Sequence, residues 1–460
     1  MRRENRESDA LGPSASERMA EGKALRERVP RGAHGVWKAA ANRPDPIELL
    51  KRTDEGRVPE LLPIRYGRMQ QSPFAFLRGA AAVMAWDLSK TPATGLRVQA
   101  CGDSHAANFG GFGSPERRLV FDINDFDETL PAPWEWDVKR LSASLVLACR
   151  EARMREKHCR EAARGAVKSY RRRMNEYARM RALDVWYSHL DAEILIKEAK
   201  TEDAREYWEE AEGKAKLDTA EHIFPRITEE KKGKRRIVDA PPLVYHAKQM
   251  AQLDKHVRRM FGLYLQTLPE EKRVILEHYR IVDIARKVVG VGSVGTRCAV
   301  ALLMAGEDDP LFLQFKEARA SVLEAFAGKS RYANHGKRVV TGQRMLQSAS
   351  DVFLGWTRDD DGRDYYFRQL RDMKMKIDLE RMTRAEWMEY AEICGWALAR
   401  AHARTGDAAR IAGYLGRSER FDAAMEKFAV AYAEQTERDH VALEKAIHAG
   451  KIHARKVAAA

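Results

Sequence analysis

Between residues 96 and 128, strand-like apolar runs alternate with loops dense in polar and acidic side chains, so the strands must deliver those loops to a surface rather than bury them. Leu96-Arg-Val-Gln-Ala-Cys alternates as a half-buried strand does, and Arg118-Leu-Val-Phe-Asp-Ile reads as a second strand after a Gly-Ser-Pro turn. Between them lies Cys101-Gly-Asp-Ser-His-Ala-Ala-Asn-Phe-Gly, and the second strand ends in Asp-Ile-Asn-Asp-Phe-Asp-Glu. Asp103 and Asn108 share the glycine-flanked loop, while Asp122, Asp125 and Asp127 cluster at the strand end. Such hard oxygen donors suit a divalent cation that holds phosphate oxygens.

A second pattern lies far downstream. Ala285-Arg-Lys-Val-Val-Gly-Val-Gly-Ser-Val-Gly-Thr-Arg-Cys-Ala-Val-Ala-Leu-Leu-Met is a glycine-rich turn between apolar runs, and Gly306-Glu-Asp-Asp-Pro separates it from Leu311-Phe-Leu-Gln-Phe-Lys-Glu. Three short antiparallel strands are predicted. Gly290, Gly292 and Gly295 form Gly-x-Gly-x-x-Gly, with Ser293 inside the turn. A dinucleotide-binding turn would open a helix within the motif, whereas residues 307–310 close a hairpin soon after it. In a nucleotide-binding hairpin the glycines let backbone lie close over a triphosphate, and a lysine on the next strand neutralises it. Lys316 is placed for that work, in an apolar strand where an unpaired ammonium is costly. The plainer alternative is an edge-strand lysine facing water. Glu324 and Glu317 are the candidate carboxylates to orient it.

The remainder reads as mainly helical. Residues 1–31 are polar and predict a mobile arm. Residues 72–88 predict one helix, with Ser72 as N-cap and Pro73 at the first turn. Residues 228–236 are charged and loop-like, residues 336–350 helical, and residues 351–370 a further hairpin. The arginine-rich stretch of residues 150–181 predicts the solvated face of a long helix. A net charge of +13 favours anionic ligands, but no nucleic-acid reader motif accompanies it, so nucleic acid is a weak expectation. Five scattered cysteines without a Cys-x-x-Cys pair point to a reducing compartment. No apolar run reaches membrane-spanning length and no secretory leader pattern opens the chain, so the expected location is the cytoplasm.

Gly-Asp-x-His-x-x-Asn followed by Asp-Phe-Asp resembles the catalytic and metal-binding segments of kinase-like phosphotransferases, especially the aminoglycoside and choline kinase types. The resemblance implies that Asp103 accepts the substrate hydroxyl proton and that Asn108 and Asp125 bind Mg²⁺, with Asp122 as the competing ligand. His105 is a candidate phosphate contact, though a loop histidine is more often structural. Asp137, in Glu-Trp-Asp, resembles an aspartate that steadies the catalytic loop. In ordinary kinases the glycine loop and lysine come first; here they follow Asp103 by roughly two hundred residues, farther than any ordinary loop. Both resemblances together imply a circularly permuted order, with the helix around Ala397-Leu-Ala-Arg-Ala-His-Ala-Arg packed behind Asp103.

Nearly the whole ordered chain is also similar to the bacterial family catalogued as domain of unknown function 2252. The matching stretches are Arg65-Tyr-Gly-Arg-Met, Ser72-Pro-Phe-Ala-Phe-Leu-Arg-Gly, the two acidic segments, Gly-Val-Gly-Ser-Val-Gly-Thr-Arg and Gln-Phe-Lys-Glu-Ala.

The resulting expectation is an α+β, protein kinase-like two-lobed fold in permuted order. Residues 1–35 form the arm and 36–283 a helical lobe with the catalytic loop. Residues 284–376 form an antiparallel-sheet nucleotide lobe, and 377–460 are helices packing on the helical lobe. Its expected function is ATP- and Mg²⁺-dependent transfer to a hydroxyl of a small molecule, with Gly290, Gly292, Ser293, Gly295, Lys316 and Glu324 serving the nucleotide. A nucleotidyl (AMP) transferase or an inactive nucleotide-binding regulator is the alternative, ahead of a metallophosphoesterase or a nucleic-acid binder.

Overall fold

A computed structural model describes residues 12–246, 250–370, 373–375 and 377–456. The chain enters on α1 (Ala15–Arg28), where Ser14 and Glu17 form a reciprocal capping box. α1 lies along the Ala408–Leu415 helix with backbone against backbone. A Cβ on Gly22 would sit 1.9 Å from the Arg410 carbonyl oxygen, and one on Gly413 would sit 2.0 Å from that of Met19. The described part of the expected mobile arm is therefore a docked helix, while residues 1–11 lie outside the described residues.

α2 (Pro46–Asp54), α3 (Leu62–Met69), α4 (Pro73–Gly79) and α5 (Ala81–Leu88) follow. Ser72 caps α4 as expected, accepting from the Ala75 N–H at 3.0 Å. The predicted single helix is two, because Ala80 leaves the helical region (φ −110°, ψ 35°). The main core gathers on α6 (Trp134–Glu151), α7 (Glu156–Tyr177) and the Arg384–Thr405 and Arg420–His448 helices. α6 is buried from Trp134 through Cys149, so each charged side chain on it needs a buried partner. α7 carries the arginine-rich stretch: Arg164 and Arg173 reach surface carboxylates, whereas Arg171 is buried on Asp422 at 2.8 Å.

Among the described residues the strands form one six-stranded sheet and three small pairs. β1 (Arg97–Ala100) pairs with β4 (Leu130–Pro133), and β2 (Phe109–Gly113) with β3 (Leu119–Ile123), all antiparallel. The two strands expected around the polar loop do not pair with each other; each has a partner that the sequence did not announce. β5 (Thr228–Lys231) and β6 (Lys234–Ile237) make a hairpin where a charged loop was expected. Its turn places Lys232 and Gly233 at positive φ (53° and 72°).

β7 (Val244–Tyr245), β8 (Arg280–Lys287), β9 (Cys298–Met304), β10 (Pro310–Ala318), β11 (Gly355–Arg358) and β12 (Asp364–Gln369) build the large sheet in the order β11-β12-β10-β9-β8-β7. β8, β9 and β10 are the three successive antiparallel strands that the sequence predicts. Side chains alternate between faces. Ala299, Ala301, Leu303, Leu311, Leu313 and Phe315 meet Met260 and Tyr264 on one face, and Val300, Leu302 and Phe312 meet Ile223 and Phe224 on the other. Helices cover both sides, which is why β9 reads as one apolar run. Residues from about 220 onward thus pack with the sheet, ahead of the expected boundary at 284. Conversely, the His335–Leu346 helix, expected with the sheet segment, sends Val339, Val340 and Leu346 into the main core.

Helical core and antiparallel sheets together make this an α+β fold. Among the described residues no helix is long and apolar enough to cross a membrane.

Candidate functional site

The polar loop after β1 is held by α6. Asp137, in the first turn of that helix, accepts the N–H groups of Cys101 (2.7 Å) and Gly102 (2.9 Å). Gly102 has φ +83°, and a Cβ there would lie 2.4 Å from the Glu128 carbonyl oxygen, so only glycine fits. His402 Nε2 lies 3.1 Å from Asp137, and Tyr390 donates to the Ala106 carbonyl oxygen at 2.6 Å. Both come from the Arg384–Thr405 helix, which therefore packs behind the loop despite lying far downstream.

Asp103 faces a cleft and its side chain is one-fifth exposed. Arg140, buried on α6, grips the Oδ1 atom, leaving Oδ2 open at 3.8 Å from His105 Nε2. Burial pushes the Asp103 carboxyl up to about 6, with Arg140 opposing it and Glu128 reinforcing it. His105 is buried, and burial with nearby Arg78 and Arg140 holds it well below the usual range, so it is neutral. Its Nδ1 has no hydrogen-bond partner among the described residues. Asn108 lines the same cleft and donates from Nδ2 to the Asp103 carbonyl oxygen at 2.7 Å.

The aspartates after β3 divide. Asp122 points into the core: Arg400 donates to both its oxygens at 2.7 and 2.8 Å, and Ser348 N–H adds a third bond at 2.9 Å. Both side chains of the ion pair are fully buried, and Asp122 is absent from the cleft. That position corrects its candidacy as a metal ligand, since its lone pairs are already used. Asp125 and Asp127 do line the cleft, each partly exposed.

Lys316 meets them from the sheet. In β10 it is paired in register with Tyr366 of β12, so both side chains leave the same face. The Lys316 ammonium contacts Asp127 directly and lies 3.6 Å from Asp125, while Tyr366 donates to Asp127 at 2.8 Å. Burial works against charge on Lys316, but the two aspartates outweigh it and hold it protonated well above its ordinary range. Burial likewise opposes charge on Asp127, and Lys316 and Tyr366 reverse it, keeping the carboxyl below its usual value. Neither expected partner serves Lys316: Glu324 lies 3.8 Å from His335, and Glu317 accepts the Arg297 N–H at 3.0 Å. Asp127 is the partner that sequence reasoning left out; the available signal was the alternating Asp-x-Asp, which puts two carboxylates on one side of a loop.

The glycine turn joining β8 to β9 closes the cleft opposite Asp103. Gly290 and Gly295 have φ +63° and +90°, and Ser293 donates to Asp127 at 3.1 Å. Gly290, Gly292 and Ser293 line the cleft, whereas Gly295 abuts Arg57. Arg57 props the turn, donating to the carbonyl oxygens of Gly292 (2.8 Å) and Val294 (2.6 Å). Among the described residues no three His, Cys, Asp or Glu side chains converge as a ready metal cage. Among the described residues, Asn108 and Asp125 bring side-chain oxygens to the cleft beside the open Oδ2 of Asp103.

The site is a polar cleft in an α+β protein, where a glycine turn and an acidic loop meet around a buried lysine. The chain belongs to the family described as "Uncharacterized protein conserved in bacteria (DUF2252)", whose model matches residues 57–446 and so spans both segments. No curated protein and no solved structure matches the chain.

Proposed function

We propose that this chain is an ATP- and Mg²⁺-dependent phosphotransferase acting on a hydroxyl of a small molecule, on a protein kinase-like two-lobed fold in circularly permuted order. The observation that carries the reading is the ion pair of Lys316 with Asp125 and Asp127, which joins two segments far apart in sequence at one cleft. The Ser293 bond to Asp127 and the Arg384–Thr405 helix behind the loop support it further.

In this reading the glycine turn offers backbone to the phosphates and Lys316 supplies fixed positive charge. Asp103 takes the hydroxyl proton on Oδ2, the oxygen outside the grip of Arg140, and a carboxyl pushed up to about 6 suits base work near neutral pH. Asn108 and Asp125 fit a magnesium ion that keeps several phosphate and water ligands, because Mg²⁺ is bound through few carboxylates when a nucleotide supplies the rest. When bound, that ion would neutralise phosphate charge during transfer. The five buried free cysteines support a cytoplasmic location.

The grip of Arg140 on Oδ1 favours a second reading, because it leaves one oxygen of Asp103 to take a proton: a nucleotidyl (AMP) transferase or a nucleotide-binding regulator on the same fold. Thermal melts with ATP, with and without Mg²⁺, test the first reading in the parent protein, Lys316→Ala and Asp125→Ala. A metal-dependent shift in the parent, lost in both variants, is expected; no shift in the parent refutes it. Label transferred from α- but not γ-labelled ATP would select the second reading.

A further inference from the structure

Four arginines line the cleft: Arg57, Arg65, Arg78 and Arg319. Three of them are spent on the fold. Arg57 holds the glycine turn, Arg65 donates to Asp54 and to the Gly79 carbonyl oxygen, and Arg319 donates to the carbonyl oxygens of Thr53 and Glu55. Arg78 differs. At the last turn of α4, its guanidinium lies over the Phe74 ring at 5.8 Å and has no hydrogen bond or ion pair among the described residues, and its Nε, like that of Arg65, is buried without a partner. A buried donor left unmade is costly, and an arginine fork with open donors matches the oxygens of a phosphate. Its position is also specific: the Arg78 carbonyl oxygen lies 3.0 Å from where a Gly292 Cβ would be, and Asp103 is its foremost opposite charge. The Arg78 backbone thus adjoins the glycine turn, and its side chain lines the cleft that Asp103 also faces.

Resting on the nucleotide reading above, we propose that Arg78 is a catalytic residue that binds the terminal phosphate of ATP and carries it toward the acceptor facing Asp103. A guanidinium there stabilises charge on the transferring group, with no covalent step of its own.

The test is calorimetric titration of parent, Arg78→Gln and Arg78→Lys with Mg-ATP and with Mg-ADP. The parent should bind ATP more tightly than ADP. Arg78→Gln should lose ATP affinity by about tenfold or more while ADP affinity stays put, so the preference disappears. Arg78→Lys, which keeps the charge but not the fork, should fall between and serves if Arg78→Gln does not fold. Unchanged ATP affinity in both variants overturns the proposal, as does an equal loss for ATP and ADP, which would move Arg78 to the inner phosphates. No binding of either nucleotide by the parent instead sinks the nucleotide reading itself, and this proposal with it.

Discussion

Replacing Asp122 by alanine separates a structural carboxylate from a metal ligand. The Asp122–Arg400 pair has both side chains fully buried, and the carboxylate accepts from Arg400, from Ser348 and from the N–H of Ile123 at 2.9 Å. Arg400 also donates to the Leu346 carbonyl oxygen at 2.6 Å, but Nε and Nη1 are buried without partners and no second carboxylate pairs with it among the described residues. Deleting Asp122 leaves an uncompensated buried guanidinium, a loss of about 3–5 kcal/mol. Arg400→Met should cost a similar amount by stranding the carboxylate. Because the double variant Asp122→Ala/Arg400→Met removes both charges, it should be destabilised by much less than the sum. Urea unfolding followed by tryptophan fluorescence measures all four proteins, and the Mg²⁺-dependent ATP melt should keep its shift in Asp122→Ala at temperatures where that variant is folded. If Asp122→Ala unfolds at the parent's urea concentration and loses the Mg²⁺ effect, the carboxylate serves a metal and the reasoning fails.

Two further outcomes follow from the geometry. Asp103 is protonated below a pH of about 6 and can accept no proton there, so turnover should rise with pH across that value and level off above it. Flat turnover through that range would exclude Asp103 as the base. Gly413→Val should push α1 off the Ala408–Leu415 helix, because the new side chain meets the Met19 backbone, at a cost of about 1–3 kcal/mol. New trypsin cleavage within residues 15–28 reports the release, and an unchanged digest would show that α1 adapts.

What could be read from sequence was whatever a local pattern dictates. β9 is Cys-Ala-Val-Ala-Leu-Leu-Met, and no contact elsewhere is needed to see a strand buried on both faces. Ser72 before Pro73 announces a cap for the same reason. β2, Phe-Gly-Gly-Phe-Gly, and β4, Leu-Pro-Ala-Pro, carry residues that strands disfavour, and only their partners β3 and β1 make them strands. α1 escaped because it docks through Gly22 and Gly413 rather than through an apolar stripe. Lys316 could be singled out because an ammonium in an apolar strand needs a partner. Which partner it has depends on the register that sets Lys316 opposite Tyr366, and that register is a fact about two strands, not one.

The same ion pair gives a physical reason for the coupling that the proposed function requires. In the protein alone, Lys316 is satisfied by Asp125 and Asp127, and the glycine turn is tied to Asp127 through Ser293. A nucleotide arriving alone would bring its negative charge toward those two aspartates and draw Lys316 away from them. A cation arriving alone would neutralise the aspartates and leave a buried ammonium short of partners. Together they exchange partners: cation with carboxylates, ammonium with phosphate, at no net loss of paired charge. Each ligand should therefore raise the affinity for the other by the same factor, since coupling between two binding sites is reciprocal. On this account Lys316→Met should weaken the coupling as well as the binding, because the ammonium is the group that changes partners.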